Sequence, residues 1–333
     1  MQAVDDEVLG QICRWLEGGE SCWLATVIET WGSSPRPVGS LFACNGSGRI
    51  VGSLSGGCVE DDLLEKLTTG ELARERPQFF QYGISAEEVE KFGLPCGGSL
   101  HIAIEPLSAD ASTREHFDTL RTRLSQRVWT QRIVNLGDGT RALADTDAFQ
   151  PLHWNPASQT LAHTIGPRHQ LFIIGAGMVS KYLAELALKL DYQVTVCDPR
   201  QHLIDEFGVA GVTLIADMPD DAVRAHASDP SSAIVALTHD PRIDDMGLME
   251  ALATPAFYVG AMGSTRTSAS RRARLRELDV DDAALDRLHA PIGLPIGSKT
   301  PPEIAIAIIA EIIAVRSAAA VRSREQLATA VAG

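Results

Sequence analysis

The chain has 333 residues, of which 45% are hydrophobic, and its formal net charge is −14 at pH 7. This length and composition predict a globular protein with room for two domains. The acidic balance argues against a nucleic-acid partner and against an anionic membrane surface as a partner.

The two ends of the chain predict neither export nor membrane insertion. The first seven residues carry three acids, and the apolar spacing of Leu9, Ile12 and Leu16 is helical. The apolar run 304–315 is too short to span a bilayer and is broken by Glu311. The six cysteines show no C-x-x-C pair and no zinc-ligand spacing. We therefore expect a cytoplasmic protein with reduced thiols.

The first hundred residues combine short apolar or β-branched runs with dense Gly, Ser and Pro turns. Strands are predicted at 23–29, 40–44, 50–54 and 100–105. With a helix predicted at 59–70, this pattern indicates a small mixed α/β domain. The polar stretch 108–157 is interpreted as the tail of this domain and a connector, with a helix at 114–126 and a strand at 128–136.

The clearest motif of the chain begins at the apolar run 171–174. A Gly-Ala-Gly turn at 175–177, an amphipathic run and a second apolar run ending at Asp198 follow. An acid about twenty residues after the glycines is typical of a dinucleotide-binding βαβ unit. Gly175 permits the tight turn, and Gly177 lets a phosphate approach the backbone at a helix start. Ser180 stands where a third Gly or Ala is usual, and serine is small enough for close packing of helix against strand, although the fit could be looser.

Regular alternation of strands and helices continues to the C-terminus. Further strands are predicted at 193–197, 213–216, 233–237 and 256–259. This alternation predicts a mostly parallel sheet with right-handed crossovers. A capping box at 300–303 marks the start of the terminal helix. The expected architecture is α/β, with a Rossmann-like C-terminal domain over 168–333 and a smaller mixed α/β N-terminal domain, including the connector, over 1–165.

Two glycine-framed cysteines are the first candidates for chemistry. A helix that begins near 59 would place Cys58 at its N-terminus, which lowers the pKa of a thiol. A soft thiolate can contact molybdenum or copper, or accept a persulfide. Alternatively, the glycines shape turns and the cysteines pack. The cofactor-binding candidates here are Gly56, Gly57, Cys58, Glu60, Cys96 and Gly97, of which Cys58 and Cys96 are the candidate molybdenum ligands.

Three loops offer groups that suit a phosphate or pterin-like ligand. The loop 32–36 combines hydroxyls with a guanidinium, and the segment 238–240 follows a strand of the predicted parallel sheet. The segment 260–266 follows the next strand and is a second candidate anion site. Each could equally be an ordinary turn, and the basic run 266–276 is interpreted as a solvated helix face. The candidates are Ser33, Ser34, Arg36, His239, Asp240, Gly263 and Ser264, in addition to Gly175, Gly177 and Asp198.

Several segments together resemble the XdhC/CoxI family of maturation factors for molybdenum hydroxylases. They are GSSPRPVGS, GSLSGGCVE, LPCGGSLHIAIEP, the Gly-Ala-Gly turn, THDPRIDD, YVGAMGSTRT and PIGLPIGSKTPPEIAIAIIAEI, in this order over 24–315. The sequence departs from the family at two positions: Met178 stands where His is usual after the turn, and Ser180 replaces a small Gly or Ala.

The resemblance implies a cytoplasmic protein that binds the molybdenum cofactor in its molybdopterin form. It also implies that the protein supports sulfuration of the cofactor, with sulfur from a cysteine desulfurase. The cofactor would then pass to an apo molybdenum hydroxylase such as xanthine dehydrogenase. The expected role is therefore that of a carrier or insertion chaperone rather than an enzyme, with neither a nucleic acid nor a membrane as partner. A homodimer is compatible with this role.

Two other functions stay open at this point. An NAD(P)-dependent oxidoreductase would use Gly175, Gly177 and Asp198, with the carboxylate pairing with ribose hydroxyls and so favouring NAD. A pure assembly chaperone would bind the apoenzyme and hold no cofactor.

Overall fold

A computed structural model describes residues 3–30, 36–55, 58–83, 99–146 and 149–331. The chain divides into two compact units, Met1–Pro167 and Arg168–Gly333. The N-terminal unit combines helices with antiparallel sheets, and the C-terminal unit is built on a parallel sheet. The expected fold class, a Rossmann-like domain together with a mixed α/β domain, is confirmed.

The first sheet of the N-terminal unit has the order β3-β2-β1-β5-β4, and each of these neighbouring pairs is antiparallel. Its strands are β1 (Cys22–Thr30), β2 (Leu41–Asn45), β3 (Ile50–Gly52), β4 (Gln78–Tyr82) and β5 (Leu100–Leu107). The predictions for β1, β2, β3 and β5 are confirmed with small shifts of their ends. The edge strand β4 was not predicted.

Helices cover both faces of this sheet. They are α1 (Ala3–Glu17), α2 (Cys58–Thr68) and α3 (Ala111–Ser125). Successive residues of a strand point to opposite faces, and β2 shows this directly. Leu41 and Ala43 belong to the apolar cluster under α1 and α3, whereas Phe42 belongs to the cluster under α2.

The helix predicted at 114–126 and the strand predicted at 128–136 are confirmed as α3 and β6. The connector expected in the rest of 108–157 is wrong, because β6 belongs to a second antiparallel sheet. Its order is β7-β6-β9-β8. Its strands are β6 (Thr130–Asn135), β7 (Arg141–Asp145), β8 (His153–Asn155) and β9 (Thr160–Ile165). Val134 and Leu161 are buried against Ile28 and Ala103 of the first sheet. The strands β7 and β8 were not predicted from the sequence, because they bury no residue and so lack the alternating burial pattern of β6.

A buried ion cluster joins the two sheets. Glu105 of β5 is fully buried and accepts hydrogen bonds from the Arg132 guanidinium of β6 at 2.7 and 2.8 Å. The Arg141 guanidinium of β7 lies 3.3 Å from the same carboxylate. Burial alone would raise the pKa of Glu105, but the two guanidiniums hold it below its usual range.

The sheet of the C-terminal unit has the order β12-β11-β10-β13-β14-β15, with every neighbouring pair parallel. The strands are β10 (Gln170–Ile174), β11 (Gln193–Cys197), β12 (Val212–Ile215), β13 (Ser232–Ala236), β14 (Tyr258–Ala261) and β15 (Leu288–His289). The predictions for β11 to β14 are confirmed within two residues. The order reverses between β10 and β13, which is where ligands bind in such sheets.

Two helical layers enclose this sheet. The helices are α4 (Met178–Lys189), α5 (Gln201–Asp205), α6 (Pro219–His226), α7 (Pro241–Ala253), α8 (Thr265–Glu277), α9 (Asp282–Asp286) and α10 (Pro301–Val331). Residues of α4, α5 and α10 share one apolar cluster, and residues of α6, α7 and α8 share the other. The strand residues alternate between the two clusters, which gives the three-layer arrangement of a doubly wound fold.

The start of the terminal helix agrees with its sequence signal. Glu303 accepts hydrogen bonds from the backbone N–H groups of Lys299 and Thr300, both at 2.9 Å, and α10 begins at Pro301. The predicted helix start and the glutamate half of the capping box are therefore confirmed. Among the helices of the described residues, none combines the length and apolar character needed to cross a membrane.

Candidate functional site

The two glycines of the turn after β10 have different roles. Gly175 has φ +106, and a Cβ there would lie 2.6 Å from the Thr238 side chain. Gly177 has an ordinary φ of −88, and a Cβ there would meet no atom within 4 Å. The turn therefore requires glycine at 175 for its own conformation. At 177, glycine leaves open the approach to the start of α4.

Ser180 is an integral part of this turn. Its side chain is buried, and its hydroxyl donates a 2.6 Å hydrogen bond to the Gly175 carbonyl. Serine therefore packs at this position, as expected from its size, and it adds a hydrogen bond that Gly or Ala could not make. Met178, the other departure from the family, is 57% exposed at the first position of α4.

Asp198 at the end of β11 is buried, and its carboxylate is occupied by the protein itself. Its Oδ2 accepts hydrogen bonds from the Ala176 N–H at 2.9 Å and from Arg200 Nη2 at 2.8 Å. Its Oδ1 accepts from the Arg200 backbone N–H at 3.0 Å and from Nε at 2.8 Å. These four bonds fill the acceptor positions of a carboxylate. The group that reaches solvent here is the Arg200 guanidinium, whose side chain is 43% exposed.

The electrostatics of Asp198 follow from these contacts. Burial raises its pKa, but the hydrogen bonds from Arg200 and from the Ala176 N–H outweigh burial and hold the pKa below its usual range. Asp198 therefore stays ionised, and it ties the end of β11 to the glycine turn.

The segment after β13 places two further candidates at the same edge of the sheet. His239 is exposed, and Asp240 caps α7 by accepting from the Arg242 backbone N–H at 3.0 Å. Asp240 also binds the Arg242 side chain, with Nη2 to Oδ2 at 2.7 Å. The hydrogen bonds from Arg242 lower the pKa of Asp240 to about 2.

A buried ion network lies beneath these loops, and the interpretation of 266–276 as a solvated face is wrong for its central residue. Arg271 is 2% exposed and donates to Asp244 at 2.9 Å and to the Met262 carbonyl at 3.0 Å. Asp244 also accepts from the Thr238 hydroxyl at 2.7 Å. Burial raises the pKa of Asp244 to about 6 despite these contacts. The network fixes the loops after β13 and β14 relative to each other.

The loop after β14 carries the last two candidates of this edge. Ser264 caps α8, because its hydroxyl accepts from the Thr267 backbone N–H at 3.1 Å. A Cβ at Gly263 would lie 3.2 Å from the Thr267 side chain. Both residues therefore shape the start of α8, and Ser264 stays exposed to a ligand.

The N-terminal candidates are only partly within the described residues. Arg36 is half-buried. Helix α2 begins at Cys58, as expected, but the Cys58 side chain is not among the described side chains. The candidates that lie outside the described residues are Ser33, Ser34, Gly56, Gly57, Cys96 and Gly97.

Glu60 in the first turn of α2 holds the loop that leads to Cys58. Its Oε1 accepts hydrogen bonds from the backbone N–H groups of Leu54 and Ser55 at 2.8 and 2.9 Å. Its Oε2 accepts from the Ser55 hydroxyl at 2.7 Å. Glu60 is 6% exposed, so its carboxylate positions the loop rather than facing a ligand.

The other four cysteines are buried thiols. Burial raises the pKa of Cys13 to about 11 and the pKa values of Cys22, Cys44 and Cys197 to about 12. These four residues therefore carry no thiolate near neutral pH. Across the described segments, no group of three His, Cys, Asp or Glu side chains is arranged to hold a metal ion.

The geometry identifies functional candidates that sequence reasoning missed. Arg200 and Arg242 present their guanidiniums at the carboxyl edge of the sheet. The signal was available, because each arginine lies two residues after an acid that was itself a candidate.

Two family models match the chain. Residues 171–312 match the XdhC Rossmann domain, and residues 15–83 match the XdhC and CoxI family. The chain is also 26% identical to a probable xanthine dehydrogenase subunit of Bacillus subtilis (strain 168), over 92% of this chain and 96% of that protein.

Two further similarities extend over most of the chain. It is 26% identical to the molybdenum cofactor insertion chaperone PaoD of Escherichia coli (strain K12), over 90% of this chain and 85% of PaoD. The crystal structure of a xanthine dehydrogenase from Bacillus halodurans superposes with a TM-score of 0.71 at 26% identity, covering 94% of this chain and 96% of that one. With both units matched and the Rossmann turn in place, the chain belongs to the XdhC/CoxI family.

Proposed function

We propose that this protein holds the molybdenum cofactor, in its molybdopterin form, and delivers it to a molybdenum hydroxylase of the xanthine dehydrogenase type. Family membership supports this role, as does the similarity over most of the chain to a molybdenum cofactor insertion chaperone. The observation that carries the proposal is the open approach at Gly177 beside the exposed Arg200 guanidinium. Molybdopterin carries a phosphate group, and such an edge suits a phosphate.

The same edge argues against an NAD-dependent oxidoreductase. In that function the acid at the end of β11 accepts hydrogen bonds from ribose hydroxyls. Here the Asp198 carboxylate already accepts four hydrogen bonds from Ala176 and Arg200. A ribose would have to displace Arg200 and leave its guanidinium unpaired, which costs binding free energy. We therefore place the protein among carriers rather than dehydrogenases.

The glycine-framed cysteines are proposed to hold the molybdenum end of the cofactor. Cys58 begins α2, and the positive end of a helix dipole stabilises a thiolate there. Glu60 fixes the preceding loop at Leu54 and Ser55, which limits the positions open to Cys58. The bound cofactor would supply a thiophilic molybdenum centre, for which a thiolate of Cys58 or Cys96 is a suitable ligand.

Delivery to the client completes the proposed role. We propose that the protein works in the cytoplasm and keeps the cofactor bound while a cysteine desulfurase supplies sulfur for it. The apo hydroxylase is the second partner. A cofactor-free assembly chaperone is the remaining alternative, in which the protein binds only the apoenzyme.

The test is the cofactor content and client activation of the purified protein. Molybdenum per chain is measured by elemental analysis, and pterin by the fluorescence of its oxidised form. We expect both in the wild type and a loss of both, together with client activation, in Cys58→Ala. The control is Cys13→Ala, which removes a buried thiol of α1.

One result would overturn the proposal, and another would change the assignment of its site. A wild-type protein that activates its client but never contains molybdenum or pterin would establish the cofactor-free chaperone. Equal cofactor content in Cys58→Ala and Cys13→Ala would remove Cys58 from the site.

A further inference from the structure

A three-residue motif occurs twice at the carboxyl edge of the Rossmann sheet. Asp-Pro-Arg occupies 198–200 directly after β11 and 240–242 shortly after β13. In the sheet, β11 and β13 are the two neighbours of β10, whose end carries the glycine turn. The two motifs therefore flank the turn on opposite sides.

The two motifs have the same hydrogen-bond geometry. In both, Oδ1 of the aspartate accepts from the backbone N–H and from Nε of the arginine, at 3.0 and 2.8 Å for Arg200 and at 3.0 Å twice for Arg242. In both, Oδ2 accepts from Nη2, at 2.8 and 2.7 Å. Each aspartate thus holds its guanidinium in a fixed orientation relative to its strand.

Each guanidinium keeps donors for a ligand. A guanidinium has five N–H groups, and the contacts with the aspartate use Nε and one N–H of Nη2. The aspartates are the less exposed partners, since the side chains of Asp198 and Asp240 are 0% and 26% exposed. The side chains of Arg200 and Arg242 are 43% and 88% exposed. A ligand approaching this edge therefore meets guanidinium groups before carboxylates.

We propose that Arg200 and Arg242 form a two-sided phosphate clamp around the glycine turn. Arginine binds phosphate oxygens in a planar, bidentate manner. An arginine already held by its aspartate loses less side-chain entropy when the ligand binds. The open space at Gly177 lets the phosphate reach the backbone N–H groups at the start of α4. The clamp selects a phosphate ester over a ligand that presents a ribose diol.

The clamp extends the proposed function. It rests on that function for one point, the identification of the ligand as a phosphorylated pterin. The proposed binding of phosphate itself depends only on Arg200, Arg242 and Gly177. It can therefore be tested with inorganic anions, and its failure can be distinguished from that of the cofactor role.

The test measures binding of inorganic pyrophosphate and inorganic phosphate by calorimetry at low salt. It uses the whole chain, produced in a host that makes no molybdopterin. We expect Arg200→Gln and Arg242→Gln each to weaken anion binding by about tenfold or more, the equivalent of about 1.4 kcal/mol.

The matched control is Arg224→Gln. Arg224 is 58% exposed in α6 and is paired with Asp221 at 2.9 Å and Glu250 at 2.7 Å. It thus has the exposure and the carboxylate partners of a clamp arginine without lying at the end of a strand. We expect the anion affinity of Arg224→Gln to stay within about twofold of wild type. The attraction between an anion and any one solvent-exposed charge is weak, because salt screens it.

Folding is monitored through the melting temperature of each variant. If Arg200→Gln lowers the melting temperature, because the buried Asp198 loses its guanidinium partner, Arg242→Gln provides the test of the clamp. Anion affinities that are equal in Arg242→Gln, Arg224→Gln and wild type would overturn the clamp, as would a wild type that binds neither anion.

The cofactor content of the same variants separates the two proposals. Arginine-dependent anion binding by a protein that never acquires molybdopterin from a producing host would leave the clamp and overturn the cofactor role. A protein that acquires the cofactor equally well in wild type, Arg200→Gln and Arg242→Gln would keep the cofactor role and overturn the clamp.

Discussion

The two units place their polar groups differently. In the N-terminal unit, Glu105 and Arg132 are buried between two sheets and pair there. In the C-terminal unit the centre of the sheet is apolar, and, besides the buried Arg271–Asp244 pair, Asp198 and Asp240 lie at strand ends with exposed arginine partners. A charge buried between sheets has no route to a ligand, and removal of its partner would destabilise the fold. A charge at a strand end, with its partner exposed, is available for recognition.

The largest effect should come from breaking the buried pair. Arg132→Met leaves the Glu105 carboxylate buried without its bidentate partner, and we expect the free energy of unfolding to fall by about 3–5 kcal/mol. Urea denaturation at neutral pH measures this change. The comparison variant is Arg242→Gln, whose solvent-exposed pair should contribute far less to the free energy of unfolding. Similar losses in the two variants would contradict the distinction between buried and strand-end charges.

The two glycines of the Rossmann turn should separate folding from binding. Gly175→Ala forces a side chain into φ +106 and against Thr238, and we expect a loss of about 1–3 kcal/mol in the free energy of unfolding. Gly177→Ala meets no atom within 4 Å, so its stability should match wild type while cofactor retention falls. Thermal melts and molybdenum content, measured together, test both statements. A destabilised Gly177→Ala with normal retention would show that this glycine serves only the fold.

Some of this edge could be predicted from the sequence, because its signals are local. The glycines and Asp198 lie within one βαβ unit, and their spacing predicts both the turn and the acid at the strand end. The hydrogen bonds between Arg200 and Asp198 were not predicted, because the motif indicates an acid at this position but not the groups that bind its carboxylate. The burial of Arg271 was missed because α8 is rich in arginine and shows no apolar stripe.

The second sheet shows the limit of sequence reasoning for the fold. Its strands are short. β6 pairs with β9, and paired residues such as Thr130 and Ile165 lie far apart in the chain. Local polarity suggested a connector, whereas pairing with distant strands decides the structure of such a segment. Among the N-terminal candidates, Glu60 was proposed as a cofactor-binding residue, and its hydrogen bonds with Leu54 and Ser55 followed only from the structure.

Acid should weaken the N-terminal unit through two histidines. Burial lowers the pKa values of His116 and His163 to about 4, whereas an unfolded histidine titrates near pH 6.5. Between about pH 6.5 and pH 4 the unfolded chain therefore binds more protons than the folded one, so stability falls as the pH falls. Each histidine contributes at most about 1.4 kcal/mol per pH unit within this window.

The measurement is urea denaturation of wild type and His163→Gln at several pH values from 7 to 4. The stability of His163→Gln should decrease less steeply with acid, because one of the two titrating groups is gone. Above about pH 6.5 the two curves should run parallel. Equal slopes throughout the acid window would show that His163 titrates alike in the folded and unfolded chains.

The smallest expected effect comes from Ser180, whose side chain makes one hydrogen bond between uncharged groups at the turn after β10. If serine were only a small residue that fits between helix and strand, Ser180→Ala would be neutral or stabilising, since alanine has the higher helix propensity. The structure predicts the opposite, because the buried hydroxyl donates to the Gly175 carbonyl at 2.6 Å. We expect a loss of about 0.5–1.5 kcal/mol in the free energy of unfolding. Ser270→Ala, at an exposed position of α8, corrects for helix propensity, and equal changes in the two variants would remove Ser180 from the turn.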